Sequence, residues 1–113
     1  MSRAAKNHYN SIKFYLNLIG DGTYTDWEDL GEEKQQEYIK SLRYVAFSKS
    51  SVTPEDLHLN WLSFVNSENI SESVSRELLV EFKELSLNNK IKAAIICESL
   101  KHHVKEYLGE FTD

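Results

Sequence analysis

Apolar side chains recur at steps of three and four residues along most of this chain, which is the spacing of one face of an α-helix. The first run predicts a helix from about residue 3 to residue 19, which the glycine-containing stretch at 20–23 stops. Its apolar face comprises Ala5, His8, Tyr9, Ile12, Tyr15, Leu16 and Ile19. The segment Trp27-Glu28-Asp29-Leu30 leads into a second predicted helix over about residues 32 to 48. The buried stripe of that helix comprises Tyr38, Leu42, Val45 and Ala46.

The start of a third helix carries the strongest local signal. Thr53 can cap a helix whose first residue is Pro54, where the missing amide proton costs nothing. Asp56 completes a capping box, and Val52 and Leu57 occupy the two ends of a hydrophobic staple. These signals agree on a helix that runs to about residue 66.

The rest of the chain gives a weaker pattern and then one long helix. Residues 67–73 are polar and favour a loop over a helix start, whereas residues 75–85 fit a strand or a helical turn about equally. A last helix is predicted from just after Ser86 to about Leu108, closed by Gly109. Its first half is apolar on several sides, which is typical of a central helix. The sequence therefore predicts an all-α protein, a compact bundle of four to five helices in a single domain, residues 1–113.

Composition and charge argue against several classes of function. Of the 113 residues, 41% are hydrophobic and 27% are charged, the balance of a globular protein. The net charge of −5 argues against binding to nucleic acid or to an anionic membrane surface, which would need a basic patch. The start of the chain lacks an apolar run of signal-peptide length, and the longest apolar stretch is far shorter than a bilayer span. The cytoplasm is therefore the expected compartment.

The histidines and the cysteine do not form a recognisable catalytic or metal-binding pattern. His102 and His103 are neighbours on a helix and point about 100° apart, so they are poorly placed to chelate one metal. His58 flanks a core stripe and is predicted to be a hydrogen-bonded structural residue. Cys97 is the only cysteine, which excludes an internal disulfide, and its apolar surroundings predict an inert thiol. The sequence predicts no enzyme, no metal and no cofactor.

Charged residues supply two candidate sites. Five carboxylates fall within eight residues: Asp26, Glu28, Asp29, Glu32 and Glu33. This acidic cluster is interpreted either as a solvated helix start, favoured by the helix dipole, or as a docking patch for a basic surface of another protein. Lys90 and Lys92 begin a basic bias along the last helix, which could receive a small anionic ligand or simply keep that face hydrated.

Several short motifs together resemble a known family. They are Trp27-Glu28-Asp29-Leu30, then Tyr38 and Val45-Ala46-Phe47, then Thr53-Pro54-Glu55-Asp56 with His58 and Trp61, and finally Leu79 to Leu85 with Lys90 and Lys92. In this order they are similar to small bacteriophage proteins that carry part of a ryanodine-receptor-type domain. Members of that family usually have a Gly-Trp-x-Tyr-Gly stretch and a His-Pro pair before the closing segment, and residues 66–78 contain none of these residue types. The resemblance therefore implies a fold and a phage setting more than an inherited ligand.

Two functional hypotheses follow. The first is a non-enzymatic phage accessory protein that binds a host protein in the host cytoplasm, for host takeover or counter-defence, through the acidic cluster. The second, implied by the resemblance, is a binding module for a nucleotide-derived signal with His58, Trp61, Lys90 and Lys92 as the ligand-binding residues. A homodimer is an additional expectation if Trp27 or Trp61 is exposed, because an exposed apolar patch needs covering.

Overall fold

The computed structural model describes residues 2–18, 24–48, 51–69, 72, 74 and 76–111. Within these residues the chain forms four α-helices, numbered in chain order: α1 is Arg3–Leu18, α2 is Glu32–Ala46, α3 is Pro54–Ser67 and α4 is Leu87–Gly109. Three-residue 3-10 turns lie at Trp27–Asp29, Arg76–Leu78 and Phe82–Glu84. The described residues contain no β-strand, and the prediction of an all-α fold is confirmed.

The chain folds as two compact units. The first consists of residues 1–51 and 98–113 and includes α1, α2 and the second half of α4. The second consists of residues 52–97 and includes α3, the two later 3-10 turns and the first half of α4. The prediction of one domain over residues 1–113 stays a prediction. Among the described helices, none combines the length and the apolar character that crossing a bilayer requires.

The core of the first unit is built on most of the predicted apolar face of α1, but Tyr15, which was predicted on that face, is exposed. Six residues of this helix are buried: Ala4, Ala5, His8, Tyr9, Ile12 and Leu16. The ring of Tyr9 lies 5.8 Å from that of Trp27 and 5.1 Å from that of Tyr38, measured between centroids. Gln35 donates a buried hydrogen bond of 2.8 Å from Nε2 to the carbonyl oxygen of Trp27. These contacts hold the 3-10 turn between α1 and α2.

In the second unit the capping box predicted at the start of α3 is present. The Asp56 amide donates to Thr53 Oγ1 over 3.1 Å, and the Thr53 amide donates to Asp56 Oδ2 over 3.0 Å. Both bonds satisfy donors that the first turn of a helix leaves without intrahelical partners. The buried apolar residues among the described part of this unit are Val52, Val65, Leu85 and Cys97.

The structure decides between the alternatives that the weakly patterned segment left open. Residues 76–78 and 82–84 form 3-10 turns, so no strand lies in the 76–85 stretch. The predicted loop over 67–73 begins inside α3, which ends at Ser67, and it falls partly outside the described residues. The glycine stop at 20–23 also lies outside them, and α2 ends two residues earlier than expected. These are differences of boundary, where local signals are least specific.

The predicted glycine cap of α4 is wrong. Gly109 is the last residue of the helix itself, and among the described residues only Gly31 and Asn69 have a positive φ. The Glu110 amide instead bonds to the Tyr107 carbonyl over 3.1 Å, and the Phe111 amide bonds to the Leu108 carbonyl over 3.2 Å. Such tightened turns satisfy terminal carbonyls without a left-handed residue.

Trp27 is only 1% exposed, and Trp61 is half-buried. The apolar patch that an exposed Trp27 would have left is therefore not present. The large apolar side chains that do reach solvent include Phe14 and Leu18 on α1 and Phe47 and Phe111 elsewhere in the first unit. The homodimer stays a prediction.

Gly31 occupies a backbone conformation that other residues rarely adopt. It precedes α2 with φ of 85° and ψ of 157°. A Cβ atom there would meet nothing within 4 Å, and the same is true at Gly109.

We expect Gly31→Ala to lower the free energy of unfolding by about 1–3 kcal/mol, the usual cost of this conformation in a residue with a side chain. Gly109→Ala, in a helical conformation, should leave stability equal or slightly higher. Urea denaturation of both variants measures the difference, and equal stabilities would contradict the assigned strain.

Candidate functional site

Two of the five carboxylates of the acidic cluster are committed to ion pairs with α1. Glu28 Oε1 lies 2.7 Å from Lys6 Nζ, and Asp26 Oδ1 pairs with Lys13 Nζ. The lysine hydrogen bonds hold the pKa of both carboxyl groups below its ordinary value. These two carboxylates therefore serve to join the segment around the first 3-10 turn to α1.

The other three carboxylates of the cluster point to solvent. Asp29, Glu32 and Glu33 are exposed, and none of them belongs to an ion pair within the described residues. Glu32 and Glu33 form the first turn of α2, where the positive end of the helix dipole favours negative charge. The structure thus divides the predicted acidic site into two carboxylates that pair with lysines and three that have no ion pair among the described residues.

The alternative ligand site is spread over α3 and α4. His58 donates from Nε2 to the carbonyl oxygen of Val80 over 2.7 Å, which agrees with a structural role for this histidine. Its ring stacks at 5.8 Å on that of Trp61 and lies 6.3 Å from that of Phe82. Lys90 and Lys92, both half-buried, belong to the first half of α4. Ligand binding by this set stays a prediction.

The remaining candidates occupy separate environments. His102 is exposed, whereas His103 is half-buried and donates from Nδ1 to the Ser99 carbonyl oxygen over 2.8 Å. Cys97 is buried, and its thiol contacts the carbonyl oxygen of Val52 at 3.5 Å. Among the described residues, no group of three or more His, Cys, Asp or Glu side chains could hold a metal ion.

The first unit has an open depression of about 500 Å³ on its surface. Its lining residues are Asn7, Asn10, Ser11, Phe14, Tyr15 and His103. The lining offers amide and hydroxyl groups, one imidazole and two aromatic rings, but no lysine or arginine. An uncharged ligand with a flat face and a polar edge suits such a surface better than a phosphate does.

Next to this depression lies a buried polar cluster that the sequence did not single out. His8 is 0% exposed, and its Nδ1 lies 2.8 Å from Ser99 Oγ. The rings of His8 and His103 are 6.2 Å apart, and both histidines bond to Ser99, one to its hydroxyl and the other to its carbonyl. Ser99 therefore links α1 to α4 through one imidazole and orients the second.

The second nitrogen of His8 has no hydrogen-bond partner among the described residues, although it is buried. A bare nitrogen lone pair is easier to bury than an N–H without an acceptor, so we place the proton on Nδ1, where it is donated to Ser99. Burial, followed by the positive charge of nearby His103, lowers the pKa of His8 from 6.5 to about 3. His8 is therefore neutral at pH 7.

The sequence pattern contained only half of this cluster. His8 fell within the apolar stripe of the first helix, and a histidine at such a position already indicates a buried imidazole that needs a partner. Ser99 gave no signal, since a single serine in a long helix matches no motif. The two residues are 91 positions apart, and only packing brings them together.

No protein-family model, no curated protein and no solved structure matches this chain. The resemblance to ryanodine-receptor-type phage proteins therefore stays a prediction.

We expect Ser99→Ala to lower the free energy of unfolding by about 1–3 kcal/mol, because the variant leaves a buried imidazole without its hydrogen bond. Ser63 is exposed in the middle of α3, so Ser63→Ala is a matched control for helix propensity. That control should gain up to about 0.5 kcal/mol. Chemical denaturation at pH 7.5 measures both, and a Ser99→Ala variant as stable as Ser63→Ala would refute the role given to the hydroxyl.

Proposed function

We propose that this protein is a non-enzymatic binding domain that docks a basic surface of another protein through Asp29, Glu32 and Glu33. The observation that supports this function is the division of the acidic cluster. All five carboxylates are exposed, but two of them pair with lysines of α1, whereas these three belong to no ion pair among the described residues. Their negative charge is therefore free to act on an approaching molecule.

Exposed carboxylates on such a surface act mainly by speeding association with a partner and by selecting which partner binds. Exposed carboxylates attract a basic patch over about a Debye length, roughly 8 Å at physiological salt. They also disfavour acidic partners, which adds specificity. The net charge of −5 extends the same preference to the whole chain. A basic protein surface is accordingly the partner chemistry that suits this site.

The resemblance to phage proteins supports a more specific setting. In that setting the protein is made by a phage or another mobile element and acts in the host cytoplasm. Its partner is then a host protein whose activity is redirected or blocked by occupation of a basic surface. This small domain would act by docking and would carry out no chemistry of its own.

Charge reversal tests the proposal with a matched pair of variants. Glu33 and Glu55 are both exposed and both occupy the second position of a helix, in α2 and α3 respectively. Glu33→Lys and Glu55→Lys therefore change the net charge and the helix-dipole interaction equally. We expect Glu33→Lys to slow association with a partner captured from host lysate by about tenfold at low salt, while Glu55→Lys changes it less than about threefold.

Surface plasmon resonance at two salt concentrations gives the rates, and denaturation curves confirm that both variants are folded. The salt dependence of association should weaken in Glu33→Lys only. If the two variants bind equally well, the acidic trio is a solvated helix start and the docking proposal fails.

A second candidate function is small-molecule binding, favoured by the depression beside His103. Its lining suits an uncharged planar ligand, whereas an anionic nucleotide-derived signal would suit the set of His58, Trp61, Lys90 and Lys92. A thermal-shift screen with nucleosides and nucleotides separates these cases. A ligand at one hundred times its dissociation constant adds about 2.7 kcal/mol of stability.

The location of a stabilising ligand follows from two single variants. Asn10 lines the depression, and Lys90 belongs to the alternative set on α4. We expect Asn10→Ala to weaken stabilisation by a nucleoside and Lys90→Ala to leave it unchanged. The opposite result would place the ligand on α4, and no shift with any compound would contradict both small-molecule sites.

A further inference from the structure

The hydrogen bonds between the start of the chain and its end share one property. Four such bonds are described. Glu110 Oε2 accepts from the Ala4 amide over 2.7 Å and from Ser2 Oγ over 3.2 Å. Glu106 Oε2 accepts from Asn7 Nδ2 over 2.8 Å, and His8 Nδ1 lies 2.8 Å from Ser99 Oγ. We call this set the seam. Each of its bonds uses a titratable side chain, either a carboxylate or an imidazole. One of these side chains, the imidazole of His8, is completely buried.

Glu110 places a negative charge at the start of α1, where the helix has no acidic residue of its own. The first turn of α1 contains no acidic residue. Ser2 Oγ accepts the Ala5 amide over 3.1 Å, and Glu110 accepts the Ala4 amide from the far end of the chain. A carboxylate in this position stabilises the positive end of the helix dipole. The seam therefore also stabilises the start of α1.

Within the seam, His8 is the side chain for which becoming charged is least favourable. Among the described residues, the titratable groups that face it are His103 from α4 and Tyr38 from α2, with ring centroids 6.2 and 6.0 Å away. Tyr9, the next residue of its own helix, is also buried. Neither Glu106 nor Glu110 bonds to it, since they accept from Asn7 and from Ala4 and Ser2. An imidazolium at this position would lie beside a second imidazole, with its new N–H at Nε2 lacking an acceptor. A buried charge without a partner is strongly unfavourable.

We propose that the seam is an acid-sensitive latch: when His8 takes up a proton, α1 separates from α2 and from the second half of α4, while the second unit stays folded. Separation of α1 would remove the ring of Tyr9 from that of Trp27 and expose both, although both are buried in the closed structure. The latch thus converts a fall in pH into exposure of an apolar surface in one unit only.

The direction of the pH dependence follows from linkage. In the closed state the pKa of His8 is lowered to about 3, whereas in the opened helix it returns toward 6.5. Between these values the opened form binds one more proton than the closed form, so acid favours opening. The free energy by which neutral His8 favours the closed form is fully present above pH 6.5, and it is lost progressively as the pH falls toward 3.

The two tryptophans allow each unit to be observed separately. Trp27 belongs to the first unit and Trp61 to the second. Trp61→Phe leaves Trp27 as the only tryptophan, and Trp27→Phe leaves Trp61. We expect acid titration from pH 8 to pH 3 to shift the emission of Trp27 to longer wavelength at a midpoint about one pH unit above that of Trp61. Coincident midpoints would show global unfolding and overturn the latch, as would Trp27 emission unchanged down to pH 4.

A substitution of the histidine tests its part directly. His8→Gln, made in the Trp61→Phe background, keeps a hydrogen-bonding amide near Ser99 but cannot take up a proton. It should move the Trp27 midpoint lower by about one pH unit. His102→Gln removes an exposed neighbour of His103 and should leave the midpoint unchanged. Equal midpoints in these two variants would overturn the role of His8.

Hydrogen exchange of the unaltered protein gives a result that does not depend on His8→Gln being folded. After correction for intrinsic rates, amides of α1 should exchange at least tenfold faster at pH 5 than at pH 7.5, while amides of α3 keep their protection. Equal changes in α1 and α3, or no change in α1, would contradict a latch confined to the first unit.

Discussion

The first unit depends on the burial of Tyr9 among aromatic side chains from three other segments. Its ring contacts those of Tyr24, Trp27 and Tyr38 at centroid distances of 6.2, 5.8 and 5.1 Å, and its hydroxyl donates to the Thr25 carbonyl over 2.6 Å. Aromatic pairs of this kind contribute about 0.5–1.5 kcal/mol each beyond the burial of their area. One side chain of α1 therefore positions both the first 3-10 turn and α2.

This packing also determines which charges remain available. With Trp27 held under α1, the carboxylates on either side of it reach Lys6 and Lys13. Of the next carboxylates along the chain, Asp29 ends the 3-10 turn, and Glu32 and Glu33 begin α2. None of the three forms an ion pair among the described residues. The division of the acidic cluster into carboxylates with and without an ion pair is thus a consequence of where one indole ring is buried.

The cluster of His8, Ser99 and His103 resembles a nucleophile next to a base, but its surroundings favour a structural role. A catalytic serine needs access to substrate and a base oriented by a third group. His8 is completely buried, and its second nitrogen has no partner among the described residues. A polar group in this condition constrains packing and makes it sensitive to protonation. The same geometry that argues against chemistry at Ser99 therefore supports the acid-sensitive latch.

Much of the secondary structure was determined by local patterns in the sequence. The three- and four-residue spacing of apolar side chains predicted the position of all four helices, and the capping box at Thr53 located the start of α3 to the residue. These signals are reliable because they depend on backbone geometry within one or two turns. The prediction failed at Gly109. The last carbonyls of a helix can be satisfied by a left-handed glycine or by tightened 3-10-type turns, and the local sequence does not distinguish the two.

Tertiary structure decided everything that joins distant parts of the chain. The sequence contained His8 and Ser99, Glu28 and Lys6, and Ala4 and Glu110, but nothing in their spacing pairs them. Pairing over such separations depends on which helix faces meet, and that is fixed by the packing of large side chains such as Tyr9 and Trp27. The helices could be predicted because they are local, whereas the free carboxylates and the pH-dependent seam could be found only once those side chains were in place.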